Sequence, residues 1–240
     1  MSAEAGPRAV LFDMDGTLVD TEGLWWEACA AVAAELGLDL TEADTTHVLG
    51  RPIERTAAHL VRRSARRDGP FPDAEDIAEC DRLSPDAETV GARLTEAFAE
   101  RIARGVTPLP GAIRLLDELG AAGVPVALVS ASPRRIVDMV LRTVGAQRFR
   151  TVVAAEDTAR AKPLPDPYLK AAAALGARPA ECVAVEDSPT GLAAARAAGC
   201  QVVAVAGGTA VPYGVLSVGS LEKVDLTLLR LLTAGKISVS

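Results

Sequence analysis

The chain has 240 residues, 49% of them apolar and 24% charged, with a formal net charge of −7. That length holds one large domain or a core with a smaller second unit, and the apolar fraction supports a sizeable core and excludes disorder over the whole chain. The acidic balance argues against a general nucleic-acid binder, which needs a basic face, and no apolar run reaches the length of a bilayer span.

Taken in chain order, the first element is a short apolar run, Ala9–Phe12, that ends in polar residues. The stretch from about residue 20 to 104 carries no strand pattern but has helical segments at 25–36 and 92–103, with a Gly/Pro loop at 66–72. It reads as a helical insertion after the first strand. Four more apolar runs follow, at 124–129, 152–155, 182–185 and 202–205. Each is continuous rather than alternating, as expected of a parallel strand covered on both faces.

Between these runs, apolar residues recur at helical spacing. Leu115, Leu116 and Leu119 form one set, Ile136, Val137, Val140 and Leu141 a second, and Leu169, Ala172, Ala173 and Leu175 a third. Gly120, Gly123, Gly145, Gly176 and Gly199 stand where such helices should stop. Alternation of strand and helix implies βαβ units and a doubly wound parallel sheet, hence an α/β fold. After Gly207 the chain is loop-rich, then weakly helical at 226–232.

The strand ends carry the chemistry. The first run is followed by Asp13-Met14-Asp15-Gly16-Thr17-Leu18, two carboxylates that repel each other unless a cation lies between them. Oxygen donors of this kind suit Mg²⁺. The second run ends in Ser130-Ala131-Ser132-Pro133. Here Ser132 has the character of a helix N-cap and Pro133 that of a first helical residue, so the turn offers free N–H groups and the Ser130 hydroxyl to an anion. Lys162 precedes Pro163, which biases it to extended backbone in a stiff loop. The fourth run ends in Glu186-Asp187-Ser188-Pro189, acids at a strand tip before another cap pattern. Each motif alone is an ordinary turn. In open α/β sheets, however, ligands bind beyond the carboxyl ends of the strands at a topological switch point, so all four sets can meet in one crevice.

The ordered set Asp13-x-Asp15-Gly16-Thr17-Leu18, Ser130, Lys162-Pro163 and Glu186-Asp187 resembles the haloacid dehalogenase-like phosphohydrolase superfamily over about residues 8 to 206. The helical insertion, Asp20-Thr21-Glu22 and Leu109-Pro110-Gly111 resemble its β-phosphoglucomutase-like, sugar-phosphate phosphatase branch. The resemblance implies a Rossmann-like core of residues 1–19 and 105–240, with core strands in the order 5-4-1-2-3, and a helical cap at 20–104. It further implies an Mg²⁺-dependent phosphomonoester hydrolase acting through an aspartyl-phosphate on a small phosphorylated metabolite such as a sugar or polyol phosphate. Asp13 would be the nucleophile and Asp15 the general acid and base. Ser130, the Ala131 N–H and Lys162 would hold the phosphoryl group. Asp13, the Asp15 carbonyl, Asp187 and Glu186 would hold the metal. A cap of this kind closes over its site.

In the cap, Trp25 is a candidate to stack on a sugar and Arg51 to reach a distal polar group, with Trp26 assigned to the core. His47 and His59 read as structural or solvated, and Arg62, Arg63, Arg66 and Arg67 as a solvated helix face. Three other readings stand beside the phosphatase. A β-phosphoglucomutase-type phosphotransferase of this branch uses a cap histidine, where this chain has Trp25. A haloacid dehalogenase needs no second acid such as Asp15. A signalling receiver module shares the acid pair, hydroxyl and lysine but lacks the long helical insertion and has another acid order, and an inactive phosphate-binding protein would not need every chemical position filled. The four cysteines, Cys29, Cys80, Cys182 and Cys200, form no CxxC or Cys/His cluster and are expected as free thiols in a reducing compartment. The N-terminus shows no basic-then-apolar leader, so a cytoplasmic location is expected; a monomer is the default expectation, with neither nucleic acid nor membrane as partner.

Overall fold

The computed structural model describes residues 6–65, 86–205 and 211–237. Cys80, Arg66, Arg67, the loop expected at 66–72 and Gly207 lie outside that set. The chain divides into two compact units, Met1–Thr21 with Val106–Ser240, and Glu22–Gly105.

The first unit is built on the strands β1 (Ala9–Phe12), β4 (Val126–Val129), β5 (Thr151–Val153), β6 (Cys182–Glu186), β7 (Gln201–Val205) and β8 (Leu216–Val218). A two-stranded antiparallel ribbon, β2 (Val19–Asp20) with β3 (Thr107–Pro108), pairs Val19 with Pro108 where the chain leaves and re-enters this unit. The main sheet runs β5-β4-β1-β6-β7-β8, and its pairings are parallel. Counted as core strands in chain order, the first five stand as 5-4-1-2-3. The expected order is therefore observed, with β8 added at the edge.

Every residue of β1, β4 and β6 is buried, which explains their unbroken apolar runs. Helices Ala112–Ala121, Arg134–Val144, Asp166–Ala174, Pro189–Ala198 and Leu226–Thr233 accompany the sheet. The expected run at 152–155 ends earlier than its composition suggests, because Ala155 opens a short 3-10 turn, Ala155–Asp157. Gly120 lies inside its helix rather than ending it, whereas Gly145 and Gly199 do stand at helix ends.

Register aligns the strand ends. Phe12 sits opposite both Leu128 of β4 and Val185 of β6, and Val129 opposite Val153. The chain leaves β1 toward β4 on one side and later returns to β6 on the other. That makes the end of β1 the switch point, and the residues following β1, β4 and β6 are brought to it.

The second unit is helical. Helices Glu22–Glu35 and Ile53–Ala65 both pack on Ala87–Ala103, with a short helix Thr45–Val48 beside them. Trp25 is half-buried, lies edge-on to Phe98 and donates its indole N–H to the Val48 carbonyl at 2.9 Å. Trp26 is half-buried rather than in the core. Arg51 is exposed and donates to the Thr46 carbonyl at 3.0 Å.

His59 is not simply solvated, nor is Arg63. Both converge on buried Asp44, at 2.9 and 2.6 Å, and the His59 ring stacks on exposed His47 with centroids 4.4 Å apart. Burial alone would raise the Asp44 pKa. Hydrogen bonds from His59 and Thr41 and the charge of Arg63 outweigh it and bring it down to about 2. Cys29, Cys182 and Cys200 are free thiols. Among the described residues no helix is long and apolar enough to cross a membrane.

Candidate active site

Asp13 follows the last residue of β1, and its N–H donates to the Val185 carbonyl at 3.0 Å. The turn after it is tight: Gly16 donates to the Val19 carbonyl, while Thr17, Leu18 and Val19 all donate to Met14. Gly16 has φ of 78°, and a Cβ there would run into the Asp187 carboxylate. Only glycine combines that backbone with that neighbour. Thr17, fully buried, donates to Asp187 Oδ1 at 3.1 Å and fixes that acid against the turn.

Lys162 is buried with its ammonium between two acids. It donates to Asp13 Oδ1 at 2.5 Å, to Glu186 Oε1 at 2.6 Å and to the Val129 carbonyl at 2.9 Å. An ammonium has three N–H groups, so all three are engaged. Burial alone would lower the lysine pKa, but the charges of Asp13 and Glu186 and their hydrogen bonds hold the ammonium charged above its ordinary range.

Glu186, wholly buried as the last residue of β6, also accepts from the Tyr168 hydroxyl, and the Lys162 ammonium lies 5.1 Å from the centre of the Tyr168 ring. The Ser188 hydroxyl accepts from Gly191 N–H at 3.0 Å, so Ser188 caps the helix Pro189–Ala198 as its sequence predicts.

The second tip corrects the sequence reading. The helix starts at Arg134 with Pro133 in the N-cap position, and Ser132 does not cap it. The Ser132 hydroxyl instead donates to Asp15 Oδ2 at 2.7 Å. Its N–H donates to the Ser130 hydroxyl oxygen at 2.9 Å, and Ser130 Oγ lies 3.4 Å from the same Oδ2. The other oxygen of Asp15 accepts from Thr21 at 2.8 Å. Ala131 is exposed at the tip of this turn.

The structure thus brings Asp13, Asp15, Ser130, Lys162, Glu186 and Asp187 together at the switch point. Trp25 and Arg51 lie in the helical unit with their polar nitrogens bonded inside it. Reading the sequence missed Thr17, Thr21, the Ser132 contact and Tyr168. The signal for Tyr168 was a lone aromatic in a helix that otherwise ends in four consecutive alanines.

Four carboxylates here face one ammonium. Asp13 is raised well above the usual carboxylate range by burial and then by Glu186, with Lys162 opposing. Burial and the Glu186 charge push Asp187 up to about 7. Burial also raises Asp15, against its hydroxyl donors. One oxygen from each of Asp13, Glu186 and Asp187 lies within 4.8 Å of the others. An all-oxygen donor set with uncompensated negative charge fits a hard divalent cation such as Mg²⁺.

A parallel sheet whose switch point carries paired acids, a lysine and hydroxyls places the protein in the Rossmann-like α/β class, with its ligand site at that point. A family model of haloacid dehalogenase-like hydrolases matches residues 7–199, and the chain belongs to that family. It is an enzyme of the phosphatase class. Hexitol phosphatase A of Escherichia coli K12 is 34% identical over 221 residues, covering 92% of this chain and 90% of the relative. The plasmid protein CbbY of Cupriavidus necator is 35% identical over 201 residues, covering 82% of this chain and 77% of the relative. The crystal structure of CbbY from Rhodobacter sphaeroides in complex with phosphate superposes with a TM-score of 0.75 at 25% identity, covering 90% of this chain and 96% of that one.

Proposed function

We propose that this protein hydrolyses a phosphomonoester of a small metabolite, a sugar or polyol phosphate, through a covalent intermediate on Asp13. The observation that carries the reading is the unlike surroundings of two acids only two residues apart. Asp13 is paired with a buried ammonium, whereas Asp15 is held by the neutral hydroxyls of Thr21 and Ser132. A carboxyl group with one oxygen fixed on an ammonium presents the other for attack, and an acid held by neutral hydroxyls, its pKa raised by burial, can carry a proton to a leaving oxygen.

Lys162 occupies Asp13 Oδ1, which leaves Oδ2 to attack phosphorus. The ester P–O bond breaks as Asp15 gives its proton to the departing oxygen. The alcohol leaves, and the phosphoryl group remains on Asp13. Asp15, now a carboxylate, takes a proton from water as that water attacks phosphorus. The P–Oδ2 bond breaks, and inorganic phosphate and free Asp13 are restored.

Ser130 and the Ala131 N–H hold phosphoryl oxygens, and Lys162 contributes positive charge through the carboxylate that it grips. Asp13, the Asp15 carbonyl, Asp187 and Glu186 would hold Mg²⁺, which supplies neutralisation of phosphoryl charge when bound. The inserted helical unit is assigned to substrate selection as a cap. Hexitol phosphatase A supports the polyol class by its name and its coverage of the chain. The free thiols of Cys29, Cys182 and Cys200 agree with a reducing compartment such as the cytoplasm.

The test is phosphate release from a panel of phosphorylated metabolites with Mg²⁺ and with chelator, for wild type and Asp13→Asn. Chelator-sensitive release by wild type and none by a folded Asp13→Asn is expected. Wild-type turnover in that variant overturns the assignment. Isomerisation of glucose 1-phosphate in place of phosphate release would move the protein to the mutases.

A further inference from the structure

We propose that Ser132 is a positioning residue for Asp15, clamping the acid from the side opposite Thr21. The inference rests on the phosphatase reading above, in which Asp15 protonates the leaving oxygen. The two carboxylate oxygens are held from different parts of the chain: Oδ1 by Thr21 at 2.8 Å, on the segment just after the turn, and Oδ2 by Ser132 at 2.7 Å, from the turn after β4. Two donors on opposite oxygens fix the rotation of a carboxyl group, which one donor cannot do. Ser130 lies farther from Oδ2, at 3.4 Å, beyond a good O–H···O contact, and its oxygen already accepts from Ser132 N–H. Ser132 is therefore the short contact on that side.

A helix-capping role does not explain the residue. The helix begins after Pro133, and the Ser132 hydroxyl points to another strand's turn, 117 residues away in sequence. The backbone of Ser132 is anchored independently of its side chain. Its N–H donates to Ser130 Oγ, and its carbonyl accepts from Ala155 N–H at 3.1 Å. Truncation to alanine keeps both bonds and removes only the hydroxyl on Asp15.

Loss of this clamp matters in proportion to how much the leaving oxygen needs a proton. A p-nitrophenolate departs without one, phenolate needs partial help, and a benzyl alkoxide needs protonation as the P–O bond breaks. The quantity to read is kcat/KM, which reports steps up to the first P–O cleavage and excludes hydrolysis of the intermediate. For Ser132→Ala, kcat/KM on benzyl phosphate should fall about tenfold or more, that on phenyl phosphate less, and that on p-nitrophenyl phosphate should stay within about twofold, because a general acid is worth on the order of a hundredfold or more only where a proton is needed. Ser132→Thr, which keeps a hydroxyl, should restore benzyl phosphate turnover. An equal fall on all three esters, or no fall on any, overturns the inference while wild type remains active. A wild type inert toward all three removes the phosphatase reading and this inference together.

Discussion

The carboxylate of Glu186 fills the space that a side chain at Gly191 would occupy. A Cβ built on Gly191 runs into the carboxyl carbon and both oxygens of Glu186. Gly191 sits in the first turn of the helix Pro189–Ala198, where alanine would otherwise be favoured by up to about 1 kcal/mol. Here sterics outweigh propensity. The helix start can approach the end of β6 only because residue 191 has no side chain, and that approach holds Glu186 against Lys162 and Tyr168.

Gly191→Ala should therefore destabilise the protein by about 1–3 kcal/mol, as overpacking does, despite its better helix propensity. Urea unfolding gives the stability, and phosphate release gives the accompanying loss of activity. A variant as stable as wild type would mean that Glu186 can sit elsewhere without cost.

Lys162 holds two buried acids at once. Lys162→Met leaves Asp13 and Glu186 facing each other without a cation, and breaking a buried pair by removing one partner costs about 3–5 kcal/mol. Part of that cost is the unpaired charge on Glu186, so Lys162→Met with Glu186→Gln should be more stable than Lys162→Met alone. A double-mutant cycle by urea denaturation measures this coupling. Additive losses would show that the two groups do not interact.

The core chemistry was legible because a parallel sheet turns linear order into position. Each apolar run had to end at the same edge, so acids, hydroxyl and lysine at successive ends were bound to meet. What stayed hidden were contacts that a local reading cannot weigh. Ser132-Pro133 and Ser188-Pro189 have the same cap pattern, yet Ser188 caps its helix and Ser132 turns to Asp15. The difference is a carboxylate brought in from another strand. β8 was missed because three residues with an exposed centre, Leu216–Val218, carry no buried run. Asp44 drew no notice as one acid in a polar stretch, although His59 and Arg63, four residues apart on one helix face, were the signal for it. Trp25 and Arg51 drew attention as bulky or charged residues, while their nitrogens bond to carbonyls that only the folded helical unit places beside them.

Mg²⁺ should raise the melting temperature, since a ligand that binds only the folded state stabilises it by about 2.7 kcal/mol at a hundred times its dissociation constant. Metal and proton compete for the Asp187 carboxylate, whose pKa is pushed up to about 7 by burial and by Glu186. Below that pH the acid holds its proton, and above it the oxygen is open to the cation. The Mg²⁺-induced shift should thus be larger at pH 8 than at pH 6, and Asp187→Asn should remove most of it. Thermal melts at the two pH values, with and without chelator, check both points. A shift independent of pH and kept in Asp187→Asn would place the cation away from Asp187.

The Asp44 cluster gives the helical unit an acid-sensitive lock. Its folded pKa, about 2, lies below the unfolded value of about 3.9, because His59, Thr41 and Arg63 favour the carboxylate more strongly than burial opposes it. A depressed carboxylate contributes stability that is fully present above the unfolded pKa and lost as pH falls through the folded one. The shift corresponds to about 2.5 kcal/mol, present at pH 5 and fading toward pH 2. Asp44→Asn removes that contribution at pH 5, because the amide keeps one acceptor oxygen but carries no charge for Arg63. The stability gap between wild type and Asp44→Asn, read by urea unfolding, should narrow between pH 5 and pH 3 and be nearly closed near pH 2. A gap that holds constant over this range would show that Asp44 contributes by packing alone, with no part played by its charge.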